Sequence, residues 1–145
     1  FYCAIASSFM LSADNAHAVH PHHPQKTDAT NCVYMNEGIV VKSHAGQKYT
    51  SDAVSVAVFK DLCKKANVPV QFFANRSDEA GGSTLGNIAM AQVSMNSVDI
   101  GLPQLAMHST YETAGIKDTY YMIQVMTEFF NSHISEVNSH SLKVD

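Results

Sequence analysis

Short apolar runs alternate with stretches of helical periodicity along most of this chain, and that alternation restricts the architecture more than any other feature. Residues 8–14, 38–43, 70–74 and 97–101 each read as a buried strand. After Ser51, a candidate N-cap, the segment DAVSVAVFKDLCKKANV carries apolar residues at 54, 58, 59, 62 and 66, and Pro69 stops the helix that this spacing predicts. Residues 84–92 predict a second helix opening on a glycine loop. In the third, TYYMIQVMTEFFNSHI, the apolar positions are 122, 123, 126, 129, 130 and 134, and Asp118 is available as its cap. The pattern implies an α/β fold, a layered αβα sheet with mainly parallel strands. The opening FYCAIASSFML reads as a core strand beginning at residue one, which suggests a chain cut from something longer.

Composition narrows the function classes. The 145 residues suggest one domain, and a net charge of -4 offers no basic field for nucleic acid or an anionic membrane. No apolar run approaches the roughly 20 residues of a membrane span. Cys3, Cys32 and Cys63 are odd in number, widely spaced and without a CxxC, which favours a reducing, cytoplasmic setting and buried thiols over a disulfide frame or a zinc knuckle.

In α/β folds functional groups gather beyond the carboxyl ends of strands. Asp14 and His108 both follow strand-like runs, so the topology can bring them to one edge although 94 positions separate them. A carboxylate ending a buried strand either caps a loop or serves a metal or a reaction. His108, in LAMHST, is either a satisfied core residue or a ligand. His17 and His20 stand three apart, a spacing that suits a shared metal on a helix, although Pro21 disfavours helix at His20. His22 and His23 read as solvated loop residues, and metal sequestration by the whole histidine cluster is a further alternative. Lys42 and Tyr49 read on their own as a surface pair. Arg76-Ser-Asp78 with the loop from Gly81 to Gly86 resembles an anion cradle before a helix N-terminus. The Walker spacing and its lysine are missing, as is a GxSxG elbow, and no cysteine has a histidine partner in context.

Four co-linear stretches carry a resemblance: SADNAHAVHP, VVKSHAGQKYTSDA, FANRSDEAGGSTLGNIAMA and VDIGLPQLAMHS. Together they resemble the aspartyl aminopeptidase and vacuolar aminopeptidase I family of dinuclear zinc exopeptidases, in order and in gaps. The resemblance implies that Asp14 is a terminal ligand of one zinc and His108 of the other. It implies that His17, Lys42 and Tyr49 contact substrate. It further implies two Zn(2+) per full-length subunit, a peptide substrate with an N-terminal acidic residue, and a homo-oligomer built as a large tetrahedral assembly. The family's early histidine, bridging aspartate, glutamate ligand and general-base glutamate precede the SAD motif. Residues 1–145 are therefore expected to be the C-terminal portion of the catalytic domain, without the N-terminal portion and the inserted dimerisation domain, and to contain no catalytic residue of their own. The competing expectation is a non-catalytic scaffold or binding module that keeps the fold.

Overall fold

The computed structural model describes residues 1–138 and 141–145. Its elements run α1 (Tyr2–Ala6), β1 (Phe9–Ala13), β2 (Ala16–His17), β3 (Ile39–Ser43), α2 (Ala53–Lys65), β4 (Val70–Ala74), α3 (Leu85–Gln92), β5 (Asn96–Gly101), β6 (Pro103–Leu105), β7 (Thr113–Ala114), α4 (Ile116–Asn131), β8 (Ile134–Asn138) and β9 (Ser141–Val144). The main sheet has the order β1-β5-β3-β4. β1 with β5 and β3 with β4 are parallel, and β3 meets β5 antiparallel over Ile100 and Gly101. A mainly parallel sheet was the expectation, and the alternating runs mark these strands because parallel strands are buried on both faces.

Side-chain alternation divides the sheet between two layers. Ile39, Val41, Val98 and Ile100 pack with Val58, Phe59, Leu62 and Cys63 of α2 and Val125 of α4. Fully burying side chains such as Phe59, Leu62 and Ile100 stabilises the fold by roughly 1.5–3 kcal/mol each. The opposite face presents Ser12, Val40, Lys42, Phe73 and Asp99; α3 meets it at Ser12, and Val40 and Phe73 form a smaller core with Ala16, Val33 and Tyr49. The polar residues on that second face build the site.

Three local expectations are corrected. Residues 1–7 form neither strand nor core: α1 is a single turn with no buried residue, Phe1 and Tyr2 are exposed, and packing begins at Phe9. The cap of α2 is Asp52, which forms a reciprocal capping box with Ser55, because the Ser51 hydroxyl is taken by β5. Asp118 is not the cap of α4 either. It is wholly buried inside the first turn, where its carboxylate accepts the backbone N–H groups of Asn36 (2.5 Å) and Gly38 (3.0 Å) and clamps the turn before β3. The buried apolar residue of α4 is Val125, whereas Ile123 and Phe130 are exposed, and Ile134 lies in β8 beyond the helix.

Burial pushes the Cys63 thiol up to about 12. In the folded chain Cys63 should therefore resist an aromatic disulfide reagent at pH 8 while exposed Cys3 reacts at once, which time-resolved labelling and mass spectrometry will show. Because the folded thiol titrates above the unfolded one, its contribution to stability is complete below pH 9 and lost as pH rises toward 12. Equal labelling rates for Cys3 and Cys63 would contradict the packing of α2.

Candidate metal and substrate site

Past the end of β1 the Asp14 N–H donates to the Ile100 carbonyl (2.9 Å), extending the parallel ladder by one residue. The backbone then crosses directly over Gly101, where an added Cβ would lie 1.8 Å from the Asp14 carbonyl oxygen. Only glycine permits that approach. Asn15 fixes the next step, its Nδ2 donating to Gln104 Oε1 (2.5 Å) while its Oδ1 accepts from the Leu102 N–H (3.4 Å). β2 then pairs with β6, setting His17 beside Gln104.

His108 follows β6 on a loop with two left-handed residues, Ala106 at φ 55° and His108 at φ 66°. Such backbone in non-glycine residues costs on the order of 1–3 kcal/mol and persists only where surroundings hold it. Here the Glu112 carboxylate accepts the His108 N–H (2.6 Å), and the Ser109 N–H reaches back to the Ala106 carbonyl (3.0 Å).

Asp14, His17, Lys42, Tyr49 and His108 all line one cavity of about 410 Å³. Asp14 and His108 are exposed at it, and Lys42 and Tyr49 are buried, so the last two are no surface pair. Lys42 Nζ lies 5.2 Å from the centre of the Tyr49 ring and donates a long bond to the Asn15 carbonyl (3.4 Å). Burial lowers the Lys42 pKa, opposed by the negative charges of Asp14 and Asp99. Burial likewise raises the Tyr49 pKa, helped by the same two carboxylates, so the phenol stays a protonated donor at neutral pH. Desolvation, then the neighbouring His108 and Lys42, keep the His17 imidazole below its usual value and hence neutral.

The other sequence candidates divide. His20 and His23 also line the cavity, with ring centres 5.2 Å apart, and both are exposed. Arg76 is not a free anion anchor: its guanidinium is spent on Asp78 and on the Gln25 carbonyl, which ties two loops together. Asp99 was missed. A carboxylate in the middle of an apolar strand poses the same question as one at its end, and that signal was available in SVDIG.

One carboxylate oxygen donor and one imidazole nitrogen donor at a rim match zinc in chemistry. They do not match it in number. Among the described residues no group of three or more His, Cys, Asp or Glu could hold a metal ion, whereas zinc sites use three or four protein ligands. Asp14 and His108 thus offer zinc the right donor types, but only two of them among the described residues.

A mainly parallel α/β sheet of this order is similar to the fold of solved aminopeptidase structures. The chain belongs to the aminopeptidase I zinc metalloprotease (M18) family, whose model matches residues 1–130. A probable M18 family aminopeptidase 2 of Clostridium novyi (strain NT) is 53% identical over 131 residues, covering 90% of this chain and 30% of that protein. A chain in the cryo-EM structure of the Ape4 and Nbr1 complex superposes with a TM-score of 0.85 at 37% identity, covering 87% of this chain and 24% of that one. A chain of the mApe1 dodecamer of the yeast S. cerevisiae superposes with a TM-score of 0.79 at 26% identity, covering 90% and 28%. This chain thus spans about 30% of the length of the curated relatives it matches.

The closeness of Gly101 to Asp14 gives a direct test. Gly101→Ala should lower the unfolding free energy by about 3 kcal/mol in urea denaturation, because neither backbone can yield without breaking the β1–β5 ladder. An unchanged midpoint would show that Asp14 does not lie against Gly101.

Proposed function

We propose that residues 1–145 are the C-terminal portion of the catalytic domain of a dinuclear zinc aminopeptidase that releases N-terminal, acidic residues from peptides. The observation that carries this reading is the meeting of Asp14 and His108 at one cavity that Lys42 and Tyr49 also line. Asp14 would hold one zinc and His108 the other, with the remaining ligands and the general-base glutamate supplied by segments outside this chain. When bound, a zinc pair polarises the scissile carbonyl and makes an attacking water acidic.

This chain's residues then divide the remaining work. The buried Lys42 ammonium draws in the carboxylate of an N-terminal Asp or Glu, a charge-assisted contact strengthened by low local polarity. The Tyr49 phenol donates to the oxyanion as the carbonyl becomes tetrahedral. Neutral His17 contacts substrate beside the metals. A longer polypeptide is supported by the two-donor limit and by apolar residues left uncovered, including Leu85 and Ile88 on α3 and Ile116, Tyr120, Ile123 and Phe130 on α4. The dodecamer of the yeast relative supports a homo-oligomer for the complete protein, read here as a large tetrahedral assembly. Three free cysteines support a cytoplasmic setting.

The test is Asp14→Ala in the complete polypeptide. Losing an outer-shell partner of a metal typically costs 10–100-fold, so losing a ligand should lower kcat/KM for an aspartyl anilide by more than about 100-fold. Bound zinc should fall from two per subunit to about one. Unchanged turnover would refute the reading, and a natural reading frame that begins at Phe1 with no peptidase activity would favour the non-catalytic module.

A further inference from the structure

Asp99 is fully buried at the centre of β5, on the face that carries the site. Its carboxylate has two oxygens and two separate duties. Oδ1 accepts the Ser12 hydroxyl (2.6 Å), and that hydroxyl oxygen in turn accepts the Gly86 N–H in the first turn of α3 (3.1 Å). Gly86 is obligatory there, since a Cβ would lie 2.5 Å from Ser12 Oγ and 3.2 Å from Asp99 Oδ1. Oδ2 accepts both the backbone N–H (2.6 Å) and the hydroxyl (3.0 Å) of Thr50.

The backbone of β5 adds to the second duty. β3 pairs with β5 only over Ile100 and Gly101, so Asp99 faces a gap in the ladder. The segment at Thr50 and Ser51 fills that gap: the Asp99 N–H donates to Ser51 Oγ (3.0 Å), and Thr50 Oγ1 meets Ser97 Oγ (2.9 Å). Thr50 follows Tyr49, whose ring lies under the Lys42 ammonium. Ser12 stands two residues before Asp14 and pairs with Asp99 in the β1–β5 register.

We propose that Asp99 is a positioning residue: one buried carboxylate that ties the Tyr49 segment and the start of α3 to the strand end carrying Asp14, and so sets the grip of Lys42 and Tyr49 on an acidic substrate. The inference rests on the peptidase reading above. Its carboxylate touches no substrate; it acts through Thr50 and Ser12. The negative charge of Asp99 also favours the charged form of Lys42, which works in the same direction. No neutral residue of the same shape can do both jobs. An asparagine presents one acceptor and one donor, so either Thr50 or the Ser12 hydroxyl loses its acceptor.

The test is Asp99→Asn in the complete polypeptide, with Thr50→Val as a second, milder variant that keeps the backbone N–H. Steady-state kinetics with aspartyl and leucyl anilides, normalised to zinc content, read the effect. The expected result for D99N is an aspartyl KM raised about tenfold or more and an aspartyl-to-leucyl kcat/KM ratio that falls by a similar factor. T50V should shift the ratio the same way by less, and D99N/T50V should fall short of the product of the two, because both break one network. A merely structural role predicts equal losses in kcat for both substrates with KM unchanged, and that result, or no change, would overturn the proposal while leaving the peptidase reading standing. A wild-type polypeptide without aminopeptidase activity would overturn both.

Discussion

The parallel pairing of β1 with β5 is the constraint on which the rest depends. It aligns Ser12 with Asp99 and Ala13 with Ile100, so that Asp14 emerges against Gly101 and the chain continuing from β5 leads through β6 to His108. Two residues far apart in sequence share a rim because one ladder joins them. The ladder tolerates no slip, since a shift by one residue would turn Ser12 and Asp99 into the apolar layer and Leu11 and Val98 out of it.

Much of this was legible in the sequence, for identifiable reasons. Strands buried on both faces are nearly continuous apolar runs, and IVV, VDIG and FMLSA are conspicuous. α2 was found because its apolar spacing and the stop at Pro69 agree. The first residues were misread because FYCAIA has strand-like composition, yet composition cannot reveal whether anything packs against it; in the structure nothing covers Phe1 and Tyr2. The role of Asp118 was misread because its partners, Asn36 and Gly38, lie about 80 residues away, beyond the reach of any local capping rule.

The site shows the same division. Asp14 and His108 were visible as polar residues ending apolar runs. The burial of Lys42 and Tyr49 was not, because it depends on α/β layering that puts alternate residues of β3 on opposite faces. Asp99 escaped notice because its partners come from β1 and the loop after β3, with α3 joined to it through Ser12, segments that meet only in the folded chain. Asp14 and His108 on one side and the Asp99 network on the other therefore differ in how far local sequence reveals them. Asp14 and His108 stand just past strand ends, while the Asp99 network runs through the sheet's second face.

The most direct measurement is anomalous X-ray diffraction at the zinc edge from crystals of the complete polypeptide grown with zinc. The account predicts two peaks roughly 3.5–4 Å apart, one within about 2.2 Å of an Asp14 carboxylate oxygen and the other equally close to a His108 ring nitrogen. Zinc bound only by His20, His22 and His23, or no peak near Asp14 and His108, would contradict it.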